Sequence, residues 1–129
     1  MGKRLNYKQA APEAIKGMLE LEKYITHSGL DFSLYELVKV RASQLNGCAY
    51  CLDMHTKDAR RAGETEQRLY LLSAWRETSF YSDRERAALA WTEAMTLVSE
   101  NGISDQLYQE VAAQFNEQEH VALTMAIVA

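Results

Sequence analysis

Apolar side chains recur at the three- and four-residue spacing of an α-helix along almost the whole chain, and no stretch alternates in the two-residue rhythm of a half-buried strand. That rhythm predicts an all-α fold. The single proline and the glycines at 29, 47, 63 and 102 sit at the edges of the periodic runs, where residues that break helices serve as punctuation. A chain of 129 residues suits one domain, spanning 1–129, that buries its own core without disulfide or metal staples.

The punctuation predicts six or seven helices. The first begins at Pro12, turns Ile15, Met18, Leu19 and Ile25 inward with Glu22 at its edge, and stops at Gly29. The second runs from Ser33, with Leu34, Leu37, Val38 and Leu45 inward, to Asn46-Gly47. A third starts at about Cys48 and reaches Arg61-Ala62 before Gly63, with Lys57, Arg60 and Arg61 near its end as the helix dipole favours. Thr65 caps a short helix through Trp75, and Ser82-x-x-Glu85 is a capping box for a longer one ending at Asn101-Gly102. Ser104 opens another, and Asn116-x-x-Glu119 caps the last. Val121–Val128 is apolar nearly all round, which predicts packing deep in the core or against another subunit.

Fourteen basic and eighteen acidic residues give a net charge of −4 and are interleaved, which excludes a nucleic-acid footprint. No apolar run is long enough to span a bilayer, and the amino terminus lacks a signal-like apolar stretch, so no membrane partner and a cytoplasmic location are expected. The two cysteines are no disulfide scaffold; a close pair in a reducing compartment points to redox chemistry or metal binding.

That pair is Cys48-x-x-Cys51, followed by His55. At about 100° per residue all three fall on one helical face, with Cys51 and His55 one turn apart. The imidazole can take a thiol proton, the C-x-x-C spacing lets a disulfide close locally, and a helix amino terminus favours thiolate over thiol. An orienting carboxylate for His55 is supplied by Glu36 if the turn at Asn46-Gly47 folds the preceding helix back antiparallel. On spacing alone Ser33-x-x-Glu36 reads first as a capping box, with Glu36 on the Ser33 backbone. Tyr50 is expected at the edge of the site, packing or hydrogen-bonding there. Trp75, Trp91 and the methionines read as core or subunit contacts, so no cofactor is expected.

The run from Glu36 to His55, E-L-V-K-V-R-A-S-Q-L-N-G-C-A-Y-C-L-D-M-H, closely resembles the alkylhydroperoxidase D-like branch of the carboxymuconolactone decarboxylase family. The resemblance extends more loosely through Ala59–Gly63 and Phe80–Ala90. It implies an all-helical subunit assembling into homotrimers or hexamers. It also implies a peroxidase in which Glu36 and His55 relay protons, Cys51 attacks a hydroperoxide and Cys48 is its disulfide partner. An external thiol or dithiol, of lipoyl or thioredoxin type, then resets the pair. The sequence departs from the best-studied members at Tyr50, where they carry a second histidine. Decarboxylases of the family lack the cysteine pair, which favours redox chemistry here. A lactone enzyme without redox chemistry and a zinc-binding helical module using the Cys/His set, completed by Glu36, are the alternatives.

Overall fold

The computed structural model describes residues 2–129. Among them it holds nine α-helices, one 3-10 helix and no strand, so the fold is all-α as the periodicity predicts. In chain order these are α1 (Tyr7–Ala10), α2 (Pro12–Thr26), α3 (Phe32–Asn46), α4 (Ala49–Arg61), α5 (Glu66–Tyr70), the 3-10 helix (Leu72–Glu77), α6 (Asp83–Thr96), α7 (Val98–Asn101), α8 (Asp105–Gln114) and α9 (Glu117–Val128).

The extra elements have local causes. Asn6 caps the single turn of α1 through its side chain, and Ala11 is then held non-helical at φ −147°, ψ 73° because the residue before a proline is barred from the helical region. The segment after Thr65 does not run unbroken to Trp75. It closes after Tyr70 and resumes as a 3-10 helix interrupted at Ala74 (φ −118°, ψ 31°). The helix opened by Ser82 breaks at Leu97 (φ −107°, ψ 36°), which leaves α7 as a separate turn before Gly102. The capping boxes expected at Ser82/Glu85 and Asn116/Glu119 are both formed reciprocally.

Helix α3 is the centre of the molecule, packed by α4, α6 and α9. Leu37 and Val40 join Ala59, Leu69, Leu72, Trp75 and Leu89 in one apolar cluster, while Leu34 and Val38 join Ala88, Trp91, Val111, Phe115 and Leu123 in another. A helix between two cores has little solvent face left, so its polar residues Glu36, Lys39 and Ser43 are buried as well. This placement creates the site described below.

One expectation about burial fails. Ile25 alone of the predicted inward residues of α2 is buried; Ile15 is half-buried, and Met18 and Leu19 are 48% and 63% exposed, because α2 meets α9 and the single turn of α1 and gives no residue to either apolar cluster. In α9, Ala122, Leu123 and Ala126 are fully buried, whereas Val121 and Val128 stay exposed. No helix among the described residues is long and apolar enough to cross a membrane.

Glu93 on α6 ties three elements together. Its carboxylate accepts from Arg41 Nε at 3.1 Å, Arg41 Nη2 at 2.9 Å and Trp75 Nε1 at 2.9 Å, and also from Arg76. Burial pushes this carboxyl up, but the hydrogen bonds from Arg76, Trp75 and Arg41 together outweigh it and hold it below its ordinary 4.5. The folded state therefore takes up this proton less readily than the unfolded chain. The stability it contributes is complete above about pH 4.5 and is lost as pH falls through the lowered folded value. Urea unfolding from pH 7 down to about pH 3 is expected to show this loss. Glu93→Gln should be less stable at neutral pH and should shallow the acid dependence.

Candidate active site

The end of α3 and the start of α4 are joined by one tight turn. Gly47 adopts φ 63°, ψ 32°, the left-handed conformation that suits glycine; a Cβ there would meet nothing within 4 Å, so backbone conformation and not space sets the requirement. The Gly47 and Cys48 amides donate back to the Gln44 and Ser43 carbonyls at 3.2 and 3.1 Å, closing α3. Cys48 is left extended at φ −91°, ψ 98° and becomes the N-cap of α4, one residue ahead of the helix.

Its sulfur occupies the place usually taken by a serine or aspartate oxygen: Cys48 Sγ accepts the Cys51 backbone N–H at 3.2 Å. Cys48 and Cys51 are joined as a disulfide, with Cα atoms 5.3 Å apart, and both are half-buried. In the reduced protein the same amide and the positive end of α4 would favour a thiolate at this position.

One turn past Cys51, His55 Nδ1 lies 3.0 Å from Glu36 Oε2. The antiparallel packing of α3 and α4 brings these two together across nineteen positions of sequence. Glu36 is only 2% exposed. The capping role suggested by Ser33-x-x-Glu36 is not adopted. Helix α3 begins at Phe32 with Asp31 at its N-cap, so Ser33 already lies inside the helix and the Glu36 carboxylate turns to His55 instead. With Nδ1 engaged, Nε2 is the imidazole nitrogen left to exchange a proton.

Four further residues surround this pair and were not singled out from the sequence as site residues. The Tyr35 hydroxyl donates to Glu22 Oε2 at 3.2 Å, and its ring meets the His55 ring edge-on at 6.4 Å. Burial, and then the Glu22 carboxylate, push the Tyr35 phenol well above its ordinary range, which keeps it a neutral hydrogen-bond donor. Lys39 Nζ lies 4.0 Å from Glu22 Oε1 and 5.7 Å above the Tyr35 ring. Burial lowers the Lys39 ammonium, opposed by the charges of Glu22 and Glu36. Asp58, one turn beyond His55, completes a group with Glu36 and His55 whose ligating atoms all lie within 4.8 Å of one another. A readable signal existed in Tyr35, Glu36 and Lys39, three polar or amphipathic positions at the three- and four-residue spacing that puts them on one side of α3.

Tyr50, between the cysteines, is 77% exposed on the outer side of α4, so the edge contact expected of it is not made. His120 lies elsewhere, against Trp91 and Tyr108 at ring distances of 4.9 and 5.1 Å; burial lowers its pKa. The groove between α6 and α8, lined by Trp75, Arg86, Glu93 and Leu107 among others, contains none of the Cys48, Cys51, His55 and Glu36 set. The cysteine pair is thus met at the mouth of a helix.

The sequence model of the carboxymuconolactone decarboxylase family matches residues 10–94, from before α2 to the last part of α6. The chain belongs to that family. The uncharacterized protein YdfG of Bacillus subtilis (strain 168) is 46% identical over 127 residues, 98% of this chain and 86% of YdfG. The uncharacterized protein YnjA of Escherichia coli (strain K12) is 35% identical over 101 residues, 78% of this chain and 54% of YnjA. A crystal structure from Agrobacterium tumefaciens superposes with a TM-score of 0.92 at 43% identity, covering 98% of this chain and 87% of that one. That protein is of unknown function and has been provisionally assigned as the antioxidant defence protein AhpD. These likenesses place the chain in the AhpD-like branch of the family.

Proposed function

We propose that this chain is a thiol-dependent peroxidase in which Cys51 attacks, Cys48 resolves, and His55 with Glu36 moves the proton. The observation that carries the reading is the Cys48–Cys51 disulfide at the start of α4, with the Glu36–His55 pair one turn further along.

In the reduced protein His55 takes the Cys51 proton, and the thiolate attacks the terminal oxygen of a hydroperoxide ROOH. An S–O bond forms and the O–O bond breaks. The alkoxide leaves with the proton held by His55, giving ROH and a Cys51 sulfenic acid. Cys48, whose thiolate is favoured by the Cys51 amide, then attacks the Cys51 sulfur. The S–S bond forms, the S–O bond breaks, and hydroxide leaves with the Cys48 proton as water. Two thiols and one hydroperoxide become one disulfide, one alcohol and one water. An external thiol or dithiol, of lipoyl or thioredoxin type, restores the pair by two exchange steps and is oxidised to its own disulfide.

Glu36 orients His55 and balances the imidazolium formed in the first step, a use that favours keeping a carboxylate at a position only 2% exposed. Association of copies into a trimer or hexamer accompanies this reading. It is supported by the apolar residues left uncovered on α2 and α9, including Met18, Leu19, Val121 and Val128.

The decisive measurement is thiol titration of reduced protein before and after an equivalent of hydroperoxide. Two thiols per chain should disappear for each peroxide consumed, and peptide mapping should recover a Cys48–Cys51 link. Peroxide that leaves both thiols intact would overturn the peroxidase reading.

A further inference from the structure

Two carboxylates stand beside His55, Glu36 from α3 and Asp58 from α4, and a third, Glu22 from α2, accepts from the hydroxyl of the neighbouring Tyr35. The one ammonium among them is Lys39, which sits on the Glu22 side, 4.0 Å from that carboxylate. With His55 neutral, the three acids and one lysine leave two negative charges about Glu36, which is itself only 2% exposed. Arg61 reaches Asp58 at 3.2 Å, but its side chain is 78% exposed, so water and salt screen its charge. A cluster of this sign and size is neutralised by one dication.

The geometry suits such an ion. Ligand atoms of Glu36, His55 and Asp58 lie within 4.8 Å of one another, and Glu36 Oε2 and His55 Nδ1 are 3.0 Å apart. Two ligands that each sit about 2.0–2.2 Å from a tetrahedral zinc ion stand a little over 3 Å from each other, so an ion can enter with small side-chain shifts. The Glu36–His55 bond uses Oε2, and Oε1 remains available to a second partner. One imidazole and two carboxylates, with a fourth position for water, form a donor set suited to zinc and similar borderline dications and ill suited to calcium or magnesium.

We propose that Glu36, His55 and Asp58 form a site for one divalent transition-metal ion, and that its occupancy silences the Glu36–His55 proton relay. The ion takes the imidazole nitrogen and carboxylate oxygen that now bind each other, so His55 is fixed as a neutral ligand and no longer accepts the Cys51 proton. The site requires no thiolate and therefore exists with the Cys48–Cys51 disulfide closed. The silencing rests on the peroxidase reading; the binding does not.

The test uses zinc and the whole protein in its disulfide form, stripped with a chelator and checked for absence of free thiols. Calorimetric titration should give one zinc ion per chain. Asp58→Asn, which removes a ligand outside the proposed relay, should weaken that binding by at least about tenfold. Failure of the disulfide form to bind zinc overturns the proposal, as does equal affinity in Asp58→Asn. The reduced enzyme provides a second readout. With each protein's rate in chelator taken as its own reference, Asp58→Asn should need at least about tenfold more zinc for half-inhibition. Identical zinc sensitivity of the two proteins overturns the silencing. Absence of turnover in both proteins would count against the peroxidase reading and would leave the binding result standing by itself.

Discussion

Cys51→Ser is expected to have no peroxide-dependent turnover at all. A serine hydroxyl in the first turn of α4 keeps the size and the backbone of the site, but its proton is far more tightly held than that of a thiol, and oxygen cannot pass through a sulfenic acid. Cys48→Ser should behave differently. It retains the attacking thiol beside His55, so one equivalent of hydroperoxide should be consumed in a single burst. The Cys51 sulfenic acid then has no partner in the chain and should be trapped by a dimedone-type reagent. Labelling of Cys51 in Cys48→Ser, with no burst in Cys51→Ser, is the expected pattern. A burst in Cys51→Ser with label on Cys48 would invert the two roles, an inversion that the amide hydrogen bond to Cys48 Sγ makes chemically reasonable to look for.

Glu36→Gln is the second large effect. The substitution keeps the shape and a hydrogen-bond acceptor for His55 but removes the buried charge that balances an imidazolium. The rate of reaction with peroxide should fall by about 10²–10⁴-fold, the range associated with a positioned acid or base, while helicity is unchanged. His55→Ala should lose a similar factor and should also unfold more easily. It strands a carboxylate that is 2% exposed, and breaking a buried pair from one side costs about 3–5 kcal/mol. Stopped-flow thiol oxidation reads the first effect, and urea denaturation the second. Near-parental peroxide reactivity in Glu36→Gln would remove Glu36 from the mechanism and leave it a structural partner of His55.

Much of the architecture was legible before any coordinates. The helical rhythm, the capping boxes at Ser82 and Asn116, the proline at the start of α2 and the glycine closing α3 are local features, and local sterics and hydrogen bonding settle them wherever the segment ends up. The errors were of another kind. Leu97 interrupts a run whose spacing looks continuous, and Met18 and Leu19 have helical apolar spacing but no helix to cover them. Periodicity states which face of a helix is apolar, and not whether a neighbour within the subunit is there to meet it.

That Cys51 and His55 stand one turn apart was legible in the sequence alone, because about 100° per residue fixes who faces whom; Cys48, extended at the N-cap, lies outside that rule and meets Cys51 through the C-x-x-C spacing. Placing sulfur at the N-cap also followed from the Asn46-Gly47 stop, to within one residue. The position of Glu36 was decided only by tertiary structure. From spacing it belonged to a cap, and only the choice of Asp31 as the N-cap and the antiparallel packing of α3 on α4 turned it to His55. Glu22, Tyr35, Lys39 and Asp58 joined it because α3 is walled by two apolar clusters and its remaining side must be covered by α2 and α4. Short-range geometry is written in the order of residues. Burial of charge is not, since it depends on which distant helix closes over it.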